Sequence, residues 1–277
     1  MTKRFIASCL LSTPLLAIAP LSSADAGPIS VNILPAAFEG GVDEMDAGDV
    51  AGVEPLANWN NVVFPTGNIT SFSVGAGELV DADGAATSTT LAFESDGNSG
   101  QSSFEGRVTA DPNPDEKMMG SGAIAFGGAQ VQTWTFEDLP ADLAENFEVL
   151  VYWGGVSTQS SDGDDVRSEY TIGGDSFVLR YKSDADTGEG EVEHWLQEPA
   201  EGDYILGTAT DGTEAIFGPN YVRFTGLSGD SFVLTVERAT GSGSRPGISG
   251  IQIIPEPASL ALMGLGSLLL IRRQRRA

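Results

Sequence analysis

The chain has 277 residues, with 14 basic and 39 acidic side chains and a formal net charge of −25. That charge excludes a surface built to hold nucleic-acid phosphates or anionic lipid. With 35 glycines and 41% hydrophobic residues the chain is too apolar for disorder, and its composition fits short strands joined by tight turns.

Residues 1–26 read as a secretory signal. Lys3 and Arg4 make the positive start, Phe5–Pro20 is mostly apolar, and Ala24-Asp25-Ala26 places small residues where a signal peptidase reads. Cleavage after Ala26 is expected, and secretion machinery and signal peptidase are the implied partners. Pro14 and Pro20 argue against a core helix here. Cys9 is the only cysteine and lies in this leader, with too short an apolar stretch before it for a lipoprotein. The mature chain therefore has no thiol chemistry and no disulfide.

Residues 27–254 are expected to form one domain. It carries eight basic against 37 acidic residues, a net charge of −29, because most of the compensating charge sits at the ends. Such a surface stays soluble and attracts cations. Strands are predicted at Ile29–Leu34, Ile69–Val74, Thr89–Phe93, Val131–Phe136, Phe147–Trp153, Val166–Ile172, Phe177–Lys182, Tyr221–Phe224, Phe232–Val236 and Ile248–Ile254. Turn signals separate them at Asp83-Gly84, Asp96-Gly97, Gly173-Gly174, Asp211-Gly212 and Gly229-Asp230. Tyr170–Val178, centred on Gly173-Gly174, is the strongest hairpin signal. Leu139–Asn146 is the best helical candidate, a short link into the next strand. Gly40–Ala51, Asp111–Gly122 and Ser183–Gly202 read as loops. The fold class is all-β: a two-sheet antiparallel sandwich, jelly-roll-like, flanked by an N-terminal signal helix and a short C-terminal hydrophobic helix.

Residues 255–277 form a distinct tail. Pro255-Glu256-Pro257 precedes Ala258–Ile271, 14 residues without a charge, and then Arg272, Arg273, Gln274, Arg275 and Arg276. The apolar run is short for a bilayer span, which needs roughly 20 residues. Snorkelling arginines and Ile251–Ile254 extend it. The arginines act as a cytoplasmic membrane stop, leaving the body outside.

These three parts in order closely resemble the PEP-CTERM sorting signal. The resemblance implies processing by an exosortase, a membrane cysteine protease that recognises Pro-Glu-Pro. It also implies transient anchoring in the inner membrane, followed by the cell surface or an exopolysaccharide matrix. Further phrases lie in the body: Val50–Val53 with Asn58–Asn61, Lys117–Met119, Thr135–Pro140 leading into Phe147–Tyr152, Tyr221–Gly229, and Gly250–Ile253. Their order resembles β-sandwich domains of exported proteins with this tail, distantly similar to galactose-binding-like jelly rolls. Those motifs are structural and bring no site residues with them. The acidic stretch Ser183–Gly202 departs from the pattern.

Candidate chemistry is sparse. His194 is the only histidine and lies in an acidic loop, and no Gly-x-Ser-x-Gly elbow is present, so no catalytic residues are assigned and a non-enzyme is expected. Zinc is disfavoured by the missing thiols. Calcium needs several oxygen ligands, and Asp184, Asp186 and Glu189 around Gly188 have that spacing. Asp162–Asp165 and Asp81–Gly84 are weaker matches. Trp195 beside His194 would suit a sugar, as would Trp59 between Asn58 and Asn60, but a core position is the commoner fate for Trp59 and Trp153, which leaves Trp195 the better candidate. The expectation is an exported, non-catalytic structural or interaction protein. The alternative is a calcium-assisted carbohydrate-binding module.

Overall fold

The computed structural model describes residues 27–35, 44–65, 69–103, 113–125, 131–154, 165–182, 203–213, 219–239 and 246–256. In chain order the elements are β1 (Ile29–Pro35), β2 (Asn60–Phe64), β3 (Ile69–Val74), β4 (Thr90–Ser103), α1 (Pro114–Met119), β5 (Ser121–Ala125), β6 (Val131–Glu137), α2 (Ala141–Glu145), β7 (Phe147–Tyr152), β8 (Asp165–Ile172), β9 (Asp175–Lys182), β10 (Tyr221–Leu227), β11 (Phe232–Arg238), β12 (Gly247–Ile248) and β13 (Gly250–Pro255). Both expected terminal helices, and the loop Ser183–Gly202 up to residue 202, lie outside the described residues.

The strands form two sheets. One has the order β10-β7-β13-β1-β2; the other runs β12-β5-β4-β6-β11-β8-β9, with β3 on the flank of β4. Pairing between named strands is antiparallel apart from β1 with β2. The chain is thus the expected two-sheet sandwich.

Alternation builds the interface between the sheets. In β6, Val131-Gln-Thr-Trp-Thr-Phe-Glu buries every second residue, so Gln132, Trp134 and Phe136 point inward. In β11, Phe232, Leu234 and Val236 do the same while Val233 is 45% exposed. Phe93 meets Trp134 edge-on at 4.8 Å between ring centres, and Phe136 stacks on Phe232 at 4.9 Å. Each such side chain contributes about 1.5–3 kcal/mol by leaving water.

β7 and β13 break the alternation. Every residue of β7 is buried, as is β13 up to Ile254. The inner face meets the other sheet. The outer face is covered by a second cluster that includes Met45, Ala51, Trp59, Met118, Met119 and Tyr221. A strand with both faces buried reads as a continuous apolar run, which is the form of Phe147-Glu-Val-Leu-Val-Tyr.

Four expectations need correction. Asp111–Gly122 is not simply a loop, because it holds α1 and the start of β5. Asn113 caps α1 through a reciprocal capping box with Glu116, and Pro114 opens the helix. Asp96-Gly97 is not a turn: β4 runs through it, and the pairing with β3 slips there as a bulge. β2 was not foreseen at all. Ile248–Ile254 is two strands, with β12 on β5 in one sheet and β13 in the other. Ser249 spans the crossing; its N–H donates to the Tyr152 carbonyl at 2.8 Å. The Gly173 hairpin is as expected, with φ of 61° at Gly173 and Ile172 paired with Asp175.

Candidate functional site

The described part of the Pro-Glu-Pro element sits where three pieces of the sandwich meet. β13 ends at Pro255, opposite Phe147. α2 packs beside it with Leu143 buried, and Asn146 follows its last residue in an extended conformation. β10 bulges between Phe224 and Leu227, where Gly226 takes φ of 70°, a conformation suited to glycine. The bulge turns the Gly226 N–H out of the ladder and toward Glu256.

Glu256 occupies that corner. Its Oε1 accepts from the Gly226 N–H, and its Oε2 accepts from the Asn146 side-chain amide at 2.5 Å. Its own N–H donates to the Asn146 carbonyl at 3.2 Å. The corner is braced by Gly229 N–H on the Ala144 carbonyl and Leu139 N–H on the Asp230 carbonyl.

A polar network fastens the outer cover of β7 and β13. The Gly52 N–H donates to Asp115 and to the Tyr204 hydroxyl, and that hydroxyl donates to Asp115 at 2.5 Å. The Tyr152 hydroxyl donates to Gln252 and accepts from the Val53 N–H. Burial, and then the charge of Asp115, push the Tyr204 phenol well above its ordinary value. Lys117 bonds Asp49 at 2.8 Å, with Asp46 at 3.5 Å. Burial pushes the Asp49 carboxyl up, but the Lys117 and Asp46 hydrogen bonds and the ammonium charge outweigh it and hold the group below its usual range. Arg223 Nε donates to the buried Glu148 at 2.6 Å.

Residues 254–276 match the PEP-CTERM protein-sorting motif. Glu256 is thus the acidic residue of the Pro-Glu-Pro element inside the matched stretch, and Pro255 is at once that element's first proline and the last residue of a core strand. No curated protein matches the chain. Among solved structures it is similar to an exo-β-1,3-galactanase from Phanerochaete chrysosporium, crystallised with galactose. The identity is 12%, the match covers 63% of this chain and 32% of that one, and the TM-score is 0.25. The chain spans about a third of the length of that protein, and so weak a likeness says nothing of activity here.

Most of the other expected site residues lie outside the described residues: Ala24, Ala26, Asp184, Asp186, Glu189, His194, Trp195, Pro257, Arg272, Arg273, Arg275 and Arg276. Those that are described serve the fold. Trp59 is buried in the outer cluster with its indole N–H on the Leu56 carbonyl, and Trp153 is buried between the sheets. Asp81 gives its carboxylate to the N–H groups of Gly27, Asp83 and Ala85, which makes it a turn former. A groove of about 420 Å³ between β2 and β3 is lined by Asn61, Phe72, Ser73 and Glu78 among others. Its amides are already bound: Asn60 to Val80 and Ser30, Asn61 to Met45 and Asn32. Among the described residues no group of three or more His, Cys, Asp or Glu is placed to hold a metal, and no helix is long and apolar enough to cross a membrane. The Glu256 corner was missed in the sequence, although Gly226 and Asn146 are both turn-prone residues.

Proposed function

We propose that this chain is an exported, non-catalytic structural or interaction protein of the cell surface or exopolysaccharide matrix, sorted by an exosortase. The observation that carries this is the PEP-CTERM motif, joined without a linker to the last core strand of an acidic sandwich. The leader at 1–26 delivers the body across the membrane, and the apolar run with its arginines holds the tail there. The body, at −29, is suited to a hydrated, cation-rich matrix.

Mass spectrometry of the protein from its native cell tests the route. A chain beginning at Gly27 and lacking the residues after Pro257 is the expected outcome, and an intact Ala277 overturns exosortase processing. A glycan array probed with and without millimolar calcium tests the role. Calcium-dependent binding, lost on replacing Asp184, Asp186 and Glu189, would substitute a carbohydrate-binding module for the matrix role.

A further inference from the structure

We infer that the folded body masks its own sorting motif: Glu256 is latched to Asn146 and Gly226, and exosortase engages the Pro-Glu-Pro element only when that latch opens. The inference rests on the exosortase reading above. Both carboxylate oxygens and the backbone N–H of Glu256 are bonded within the body. An enzyme that recognises a carboxylate between two prolines must offer donors of its own to those same oxygens, so body and enzyme compete for one set of hydrogen bonds.

The backbone leading to the motif is equally committed. β13 lies between β7 and β1, and its pairing with β7 continues to Pro255. Proteolytic sites take extended chain and pair with its backbone groups. Here those groups are already paired on the body side, so the chain just before Glu256 cannot enter a cleft without leaving the sheet. Glu256 itself is only half-buried, and water competes for its bonds. The latch therefore slows engagement and does not abolish it. It also makes engagement sensitive to the state of the body, because α2, the β10 bulge and β13 must all be in place for the corner to exist.

The test uses the full chain in a host that carries an exosortase, with the clipping rate read by pulse-chase. Asn146→Ala removes the amide donor and leaves the backbone intact. Inserting a Gly-Ser linker of about six residues between Ile254 and Pro255 frees the motif by a second route. Both changes should speed clipping roughly three- to tenfold, the worth of one or two modest hydrogen bonds. Hydrogen exchange on the purified full chain should find the Gly226 and Glu256 amides protected in the wild type and exchanging faster in Asn146→Ala, with the denaturant midpoint lowered by no more than the loss of one hydrogen bond allows. Equal or slower clipping in both variants overturns the masking, as does fast exchange at both amides in the wild type. Deleting residues 255–257 checks the underlying reading: if that chain is clipped as fast as the wild type, exosortase recognition falls and masking falls with it.

Discussion

Lys117 shows what single residues contribute in so acidic a body. Its side chain is 12% exposed and that of Asp49 18%, so the pair lies between a surface ion pair and a buried one. Lys117→Ala would leave Asp49 half-covered without its cation, and the expected loss is about 1–2 kcal/mol, read as a lower urea midpoint at unchanged slope. The pH dependence has a definite sign. Asp49 is held below its ordinary value of 3.8 when folded, so its contribution is present above that pH and lost as pH falls through the lower, folded value. Acid unfolding of Lys117→Ala should therefore be less steep below about pH 4. Tyr204 works on the other side. Its pKa is raised on folding, so stability should decline as pH rises above 10 toward the higher folded value. Far-UV circular dichroism in urea at pH 8 and pH 11 checks this, and an equal midpoint at both would refute it. Neither network was legible in the sequence: Tyr204 and Asp115 are 89 positions apart, and Lys117 and Asp49 are 68.

Among the elements, legibility followed alternation and length. β6 and β11 were readable because one face is wet and the other dry, and β7 because both faces are dry. β2 begins with two asparagines, whose amides tie neighbouring loops rather than advertise a strand. α1 has six residues, too few to show a period, although its Asn-Pro-x-Glu start is a complete capping box. The packing around Trp153 was hidden for another reason. Gly122, Gly154 and Gly247 leave room where β5, β12 and the end of β7 converge, and a Cβ on Gly247 would collide with the Trp153 ring. Gly247→Ala is accordingly expected to cost about 1–3 kcal/mol in thermal or urea unfolding. Trp134→Ala, which empties the middle of the aromatic stack, should cost about 3–5 kcal/mol.

For the molecule as a whole, the sandwich could be anticipated. Residues 27–254 carry −29 and no cysteine, so this body repels itself and holds together by burial. Screening should relieve that strain. Raising sodium chloride from about 10 mM to 0.5 M shortens the reach of charge from ~30 Å to under 8 Å. The expected result is a melting temperature higher by about 5 °C, and an unchanged value would show that the acidic residues are too dispersed to matter. The pairing of β1 with β13 has a consequence of another kind. Ile29 lies opposite Ile253, so β1, the first described strand, finds its antiparallel neighbour only in β13, the last. A chain threaded outward from its N-terminus must keep β1 half-partnered until almost all of the body has crossed. A version stopped at Ser249 should accordingly give no cooperative unfolding transition. On the exosortase route proposed above, closure of that sheet and presentation of the sorting motif would fall at the same moment, because β13 carries the motif directly behind it.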